Sequence, residues 1–327
     1  MYSRLAFALL SSAVLVSVSP AQQTTSDVVV QGASLNDVNG GWPTCGADGQ
    51  LYRGPSGGDS TSVMRVSRDG STLLFRLPEH AYPQAVAATN TGVNILSAVG
   101  PTPERRVHFQ MFHFDSLANL LAHNRGTISL RPSSMATLAS GTTILVGAHA
   151  NDPDNRDEWK YGFAILDEND QLIKSVYLPL PPGGGGWTFV SPVAAGDGVA
   201  HVMLHSSRPP QTAIATISEK GDHNLDITIV AAPIDTETRH HNYWVFGPGV
   251  AVDVYIDPTE RPHVSDRFDE YDLASGTKIA TKRAYGGGFQ FGCYMGDSFS
   301  MLAHSAHVDP ASRLSPDTLR LVTTKLQ

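Results

Sequence analysis

The stretch SMATLASGTTILVGA, residues 134–148, is an apolar run, a turn centred on Gly141 and a second apolar run. It reads as two short strands joined by a tight turn, Ser134 to Ala139 and Thr142 to Ala148. The same pattern recurs along the chain. Gly49, Gly92, Gly141, Gly198, Gly249 and Gly296 are separated by 43, 49, 57, 51 and 47 residues, a spacing that accommodates four short strands with their loops. In the fourth unit Val190 to Ala195 precedes Val199 to Leu204, and in the fifth Tyr243 to Phe246 precedes Val250 to Ile256.

Each of the first five units carries a second hairpin. Ser62 to Val66 turns at Arg68-Asp69-Gly70 into Thr72 to Leu77, and Tyr161 to Leu166 turns at Asp167 to Asp170 into Leu172 to Leu178. Thr212 to Ile217 leads into Leu225 to Ala231, and the fifth unit turns at Ala274-Ser275-Gly276. The second unit, Val107 to Leu130, is less regular, and Leu117 to Ala122 is the one place where a helical turn is expected. The sixth unit ends one strand short, after Asp317 to Lys325. Asp27 to Gln31, a β-rich segment ahead of the first unit, is free to supply that strand and close a ring.

Six four-stranded units around a central channel look like a six-bladed β-propeller, an all-β fold, and the Asp/Gly outer turns resemble the NHL and TolB-like group of propellers. The resemblance spans residues 26 to 327, which form one domain. The two cysteines fit the ring. Cys45 and Cys293 each lie just before a turn glycine, on innermost strands of the first and last units, which become neighbours only if the ring closes. A disulfide between them is expected.

Composition agrees with this organisation. Charged residues make up 17% of the 327 positions, below the roughly 25% of an average soluble domain, and 41% are hydrophobic, which excludes a disordered chain. The 30 glycines and 21 prolines punctuate hairpins. Met1 to Arg4 with one basic residue, the apolar run Leu5 to Val18 and the small residues Ser19-Pro20-Ala21 read as a signal peptide, residues 1–21, cleaved after Ala21. The run is too short to span a bilayer, so no transmembrane segment is expected and the mature chain is read as a secreted or periplasmic monomer. The formal charge is −8, one more negative once Arg4 is removed, and no basic stripe is present. Nucleic acid is therefore not an expected partner.

Ligands of propellers gather where innermost strands begin and second strands end. Second strands end at His149, His205, Asp257 and His304, a set able to bind a divalent metal or to act as acid and base near neutral pH. The first unit offers Arg53 at the corresponding end. Innermost strands begin at Trp42, Tyr82, Trp187, Tyr243 with Trp244, and Phe289, flat rings suited to stacking on sugars. Two other features carry less chemistry. The acidic loop Asp152 to Glu158 has Arg156 where a calcium loop needs oxygen, and Gly296-Asp297-Ser298 lacks the second glycine of a nucleophile elbow. The chain therefore reads as a binding protein for a small molecule or glycan, such as cell-wall material, at the channel mouth. The alternatives are a metal-dependent hydrolase or lyase on the same scaffold, and a protein-interaction scaffold.

Overall fold

Each repeat unit folds as an antiparallel sheet, and six such sheets follow one another around a ring in a computed structural model of the chain. The structure describes residues 24–34, 44–46, 48–53, 61–78, 81–99, 106–149, 160–178, 187–189, 193–195, 198–207, 210–220, 225–232, 240–256, 265–285, 292–304 and 318–327. No helix is found among them, and hence none long and apolar enough to cross a membrane.

The N-terminal strand β1 (Thr24–Ser34) is followed by blade one, made of β2 (Thr44–Cys45), β3 (Leu51–Arg53), β4 (Ser62–Val66) and β5 (Thr72–Arg76). Blade two holds β6 (Pro83–Ala88), β7 (Gly92–Val99), β8 (Val107–Asp115) and β9 (Leu120–Ile128). Blade three holds β10 (Arg131–Thr137), β11 (Thr143–His149), β12 (Lys160–Leu166) and β13 (Leu172–Tyr177). In blade four two short segments, β14 (Thr188–Phe189) and β15 (Val193–Ala195), share the innermost position beside β16 (Val199–Ser207), with β17 (Pro210–Glu219) and β18 (Leu225–Ala231) outside. Blade five comprises β19 (His240–Gly247), β20 (Val250–Ile256), β21 (Ser265–Asp272) and β22 (Lys278–Tyr285). Blade six has β23 (Gly292–Tyr294), β24 (Ser298–His304) and β25 (Thr318–Lys325), and β1 completes it by pairing antiparallel with β25.

Ring closure is therefore made by both ends of the chain. Asp27 on β1 forms an ion pair with Arg320 on β25 at 2.5 Å. Beyond that pairing, Gln31 donates its N–H to Gly70 O and accepts from Thr72 Oγ1, which ties the strand to blade one. The Cys45–Cys293 disulfide joins β2 to β23 with a Cα separation of 5.1 Å. It encloses a sequence separation of 248 residues, for which chain entropy alone gives about 5 kcal/mol of stabilisation.

One turn geometry serves inner and outer hairpins alike. Leu138 N donates to Thr142 O and Gly141 N to Leu138 O; Asp167 N donates to Gln171 O and Asp170 N to Asp167 O. The fourth turn residue takes a left-handed backbone, which glycine supplies at Gly49, Gly70 and Gly141. In blade two Ala118 takes this place (φ 66°), held by Asp115, whose carboxylate accepts from Leu117 N, Asn119 N and Asn119 Nδ2. These bonds fix a turn at 115–119, and Leu120 to Ala122 continues as strand rather than as the expected helical turn. Gly92 also differs from the other turn glycines. It opens β7, and a Cβ there would lie 1.8 Å from Phe114 O, so close strand approach requires the glycine.

Because blades stack face to face, both faces of a strand are buried, and successive residues point into the two neighbouring seams. On β11, Ile144 and Val146 pack with Val202 and Leu204 of blade four, whereas Leu145 packs with Leu96 and Met111 of blade two. Each fully buried aliphatic or aromatic side chain contributes about 1.5–3 kcal/mol of burial. This places the core in the seams rather than in one central layer.

Candidate functional site

Parity along a strand decides which seam a residue enters, and it separates the predicted histidines. His149 follows Leu145 and Gly147 on the β11 face turned toward blade two. Its ring centroid lies 4.2 Å from that of Tyr177, and its Nδ1 lies 3.3 Å from Ser129 Oγ. Among the described residues Nε2 is buried without a partner, above Gly162, where a Cβ would lie 3.0 Å from it. Burial holds this imidazole below its ordinary value of 6.5. His205 instead follows Met203 on the β16 face turned toward blade five. The apolar core of blades three and four lies between these faces, so the two imidazoles are not brought together.

Asp257 lies outside the described residues, and His304 ends β24 with its backbone paired to Leu319. Among the described residues no three His, Cys, Asp or Glu side chains converge to hold a metal ion. Of the aromatic set, Trp42 and Phe289 lie outside the described residues, and Tyr243 pairs by backbone with Val254. Trp187 is 6% exposed and packs in the core of blades three and four. Tyr82 is 49% exposed at the start of blade two, its N–H donated to Ser97 Oγ at 3.1 Å. Trp244 is half-buried between blades four and five, with its ring centroid 6.1 Å from that of Tyr271.

The seam that holds Trp244 and His205 has a distinct chemistry. Its floor is apolar: Met203 and Ile214 from blade four meet Phe246, Ala251 and Tyr271 from blade five. One pleat nearer the ends of the second strands, the same faces carry polar groups. Blade four contributes the cross-strand pair His205 and Thr212. Blade five contributes Trp244 opposite Asp253, and Asp253 opposite Asp269. Both aspartates are fully buried. Asp269 accepts from Thr281 Oγ1 at 2.7 Å and from Tyr255 OH at 3.3 Å, and pairs with Lys278 Nζ at 2.7 Å. Thr212 Oγ1 is buried with no partner among the described residues.

One other buried polar cluster is better satisfied. Between blades two and three, at the opposite ends of the strands, His113 bridges Asn94 Oδ1 at 2.8 Å and Asp170 Oδ2 at 2.6 Å. Asn124 donates to the same aspartate, and Asn94 donates to Thr137 Oγ1. Asp170 occupies the left-handed turn position (φ 61°), and its carboxylate joins the two blades. That cluster is saturated, which marks it as structural. The seam between blades four and five keeps an orphan hydroxyl, two carboxylates, an imidazole and an indole in one layer.

Sequence reading reached His205 and Trp244 but not Thr212, Asp253 or Asp269. The available signal was density: SDRFDEYD, residues 265–272, is unusually acidic for a strand buried on both faces.

Comparison with known proteins supports the fold and no more. No protein-family model matches the chain, and no curated protein does. Among solved structures, a member of the DUF4221 family from Bacteroides vulgatus aligns over 94% of this chain and 97% of its own, with a TM-score of 0.50 and 9% identity. A protein of unknown function from Bacteroides caccae covers 73% of this chain and 79% of its own, with a TM-score of 0.43 and 10% identity. Cobalt-substituted apocarotenoid oxygenase from Synechocystis covers 92% and 71%, with a TM-score of 0.43 and 11% identity. The NHL and TolB-like group is not among these neighbours. At such identities the likeness is one of architecture.

Proposed function

We propose that the chain is an exported binding protein that seats a glycan, such as cell-wall material, at the channel mouth above the seam of blades four and five. The polar layer of His205, Thr212, Trp244, Asp253 and Asp269 carries this reading. Packing alone is served by the apolar floor beneath it, and Thr212 Oγ1, buried with no partner among the described residues, costs stability that a ligand hydroxyl would offset. A flat indole beside hydroxyl, imidazole and carboxylate groups is the combination that grips a sugar, one face by stacking and its hydroxyls by hydrogen bonds. The signal peptide ending at Ala21 and the Cys45–Cys293 bridge suit a secreted or periplasmic setting, where disulfides persist.

The test is titration of the mature protein with a panel of soluble oligosaccharides, followed by calorimetry and tryptophan fluorescence. Trp244→Ala should weaken the best ligand about tenfold or more, the value of one lost stacking contact. Failure of every glycan to bind the wild type at millimolar concentration would overturn the proposal.

A further inference from the structure

Arg53 is the last residue of β3, two residues beyond Leu51 and paired across the sheet with Met64. Leu51 and Met64 belong to the core that joins blade one to blade six, together with Cys293, Leu302 and Leu319. Arg53 therefore stands one pleat above the ring-closing disulfide, at the end of the second strand, on the channel-mouth face. Its Nε is buried with no acceptor, and among the described residues its guanidinium makes no hydrogen bond or ion pair. Among the described residues Arg320 pairs with Asp27, Lys278 with Asp269 and Lys282 with Glu270, and Arg65, whose Nε is likewise buried without a partner, still donates from Nη1 to Ser116 O.

A half-buried guanidinium without a counter-charge is destabilising, and burial cannot neutralise it at physiological pH. Desolvation lowers this one to about 10, which leaves it protonated near neutrality. Among the described residues, the surrounding core of Leu51, Met64, Cys293, Leu302 and Leu319 holds no counter-charge. An incoming anion would, because the guanidinium fork matches the two oxygens of a carboxylate. A single guanidinium at this position, on a chain of formal charge −8, favours a monoanion over a phosphate dianion.

We propose that Arg53, at the seam of blades one and six, is a second subsite of the channel mouth that seats the carboxylate of an acidic sugar, so that the glycan held at the seam of blades four and five is uronate-containing. This rests on the glycan reading above and narrows its class.

The experiment compares glucuronate and galacturonate with glucose, galactose and acetate on the full mature chain, by calorimetry and thermal shift, in wild type, Arg53→Met and Arg53→Lys. Uronates should bind the wild type at least tenfold more tightly than the neutral sugars. Arg53→Met should erase that preference and melt at a higher temperature without ligand, and Arg53→Lys should keep part of the preference. Equal affinity for uronates and neutral sugars would overturn the carboxylate seat and leave the glycan reading standing. Stabilisation by acetate that matches uronate and disappears in Arg53→Met would support the seat, assign it to a free carboxylate and remove the sugar. No response to any carboxylate would overturn the inference, as would Arg53→Met melting below the wild type while Arg53→Lys does not.

Discussion

Blade four has one face of each kind. Toward blade three, Ala200, Val202 and Leu204 meet Ile144, Val146 and Phe163 in a continuous apolar core, with Ser206 only at its upper end. Toward blade five, Met203 is apolar but His201 and His205 flank it, and across the seam stand Asp253 and Asp269. Both chemistries lie on one strand, β16, in alternate residues. Alternation in a stacked-blade fold therefore does not separate inside from outside, as it does in a half-exposed sheet. It separates one seam from the next, and it lets a single strand serve packing on one side and a site on the other.

The comparison can be broken most forcefully on the apolar side. Phe163→Ala should cost about 3–5 kcal/mol by cavity formation, whereas Trp244→Ala in the polar seam, where the ring is only half-buried, should cost less than half of that. Denaturant unfolding of both variants checks this, and equal losses would erase the distinction between the seams.

A smaller effect is expected from the third kind of position, His149, a buried imidazole in the seam of blades two and three. The unfolded chain takes up a proton near 6.5 that the folded chain resists, so the stability contributed by the neutral ring is complete above that pH and falls as pH drops through it. His149→Gln should flatten the decline in melting temperature between pH 7.5 and 5. Identical slopes for the variant and the wild type would mean that the ring titrates as if exposed.

Much of this architecture was legible in the residues. Turn glycines set the repeat because their left-handed backbone is needed at the same place in most inner hairpins, and two cysteines beside the first and last of them pointed to ring closure. The orphan segment near Asp27 was recognisable because the last unit lacked a partner strand. The helical turn expected at Leu117 to Ala122 was misread because the capping carboxylate of Asp115 acts through the backbone rather than through a periodic pattern. Site residues were only partly legible. His205 and Trp244 stand at strand ends, where position flags them, whereas Asp253 and Asp269 lie inside strands and gain meaning only from their cross-strand pairing. His149 shares the terminal position of His205, yet opposite parity sends it into another seam.

The smallest substitution tests the central claim, that polarity in the seam of blades four and five is kept for a ligand rather than for the fold. Thr212→Val exchanges a buried hydroxyl that has no partner among the described residues for a methyl group of the same shape. Measured together on one preparation, its unfolding free energy should rise by about 0.5–1 kcal/mol while its affinity for the glycan bound by the wild type falls. A variant that loses stability and binds that glycan unchanged would contradict the claim.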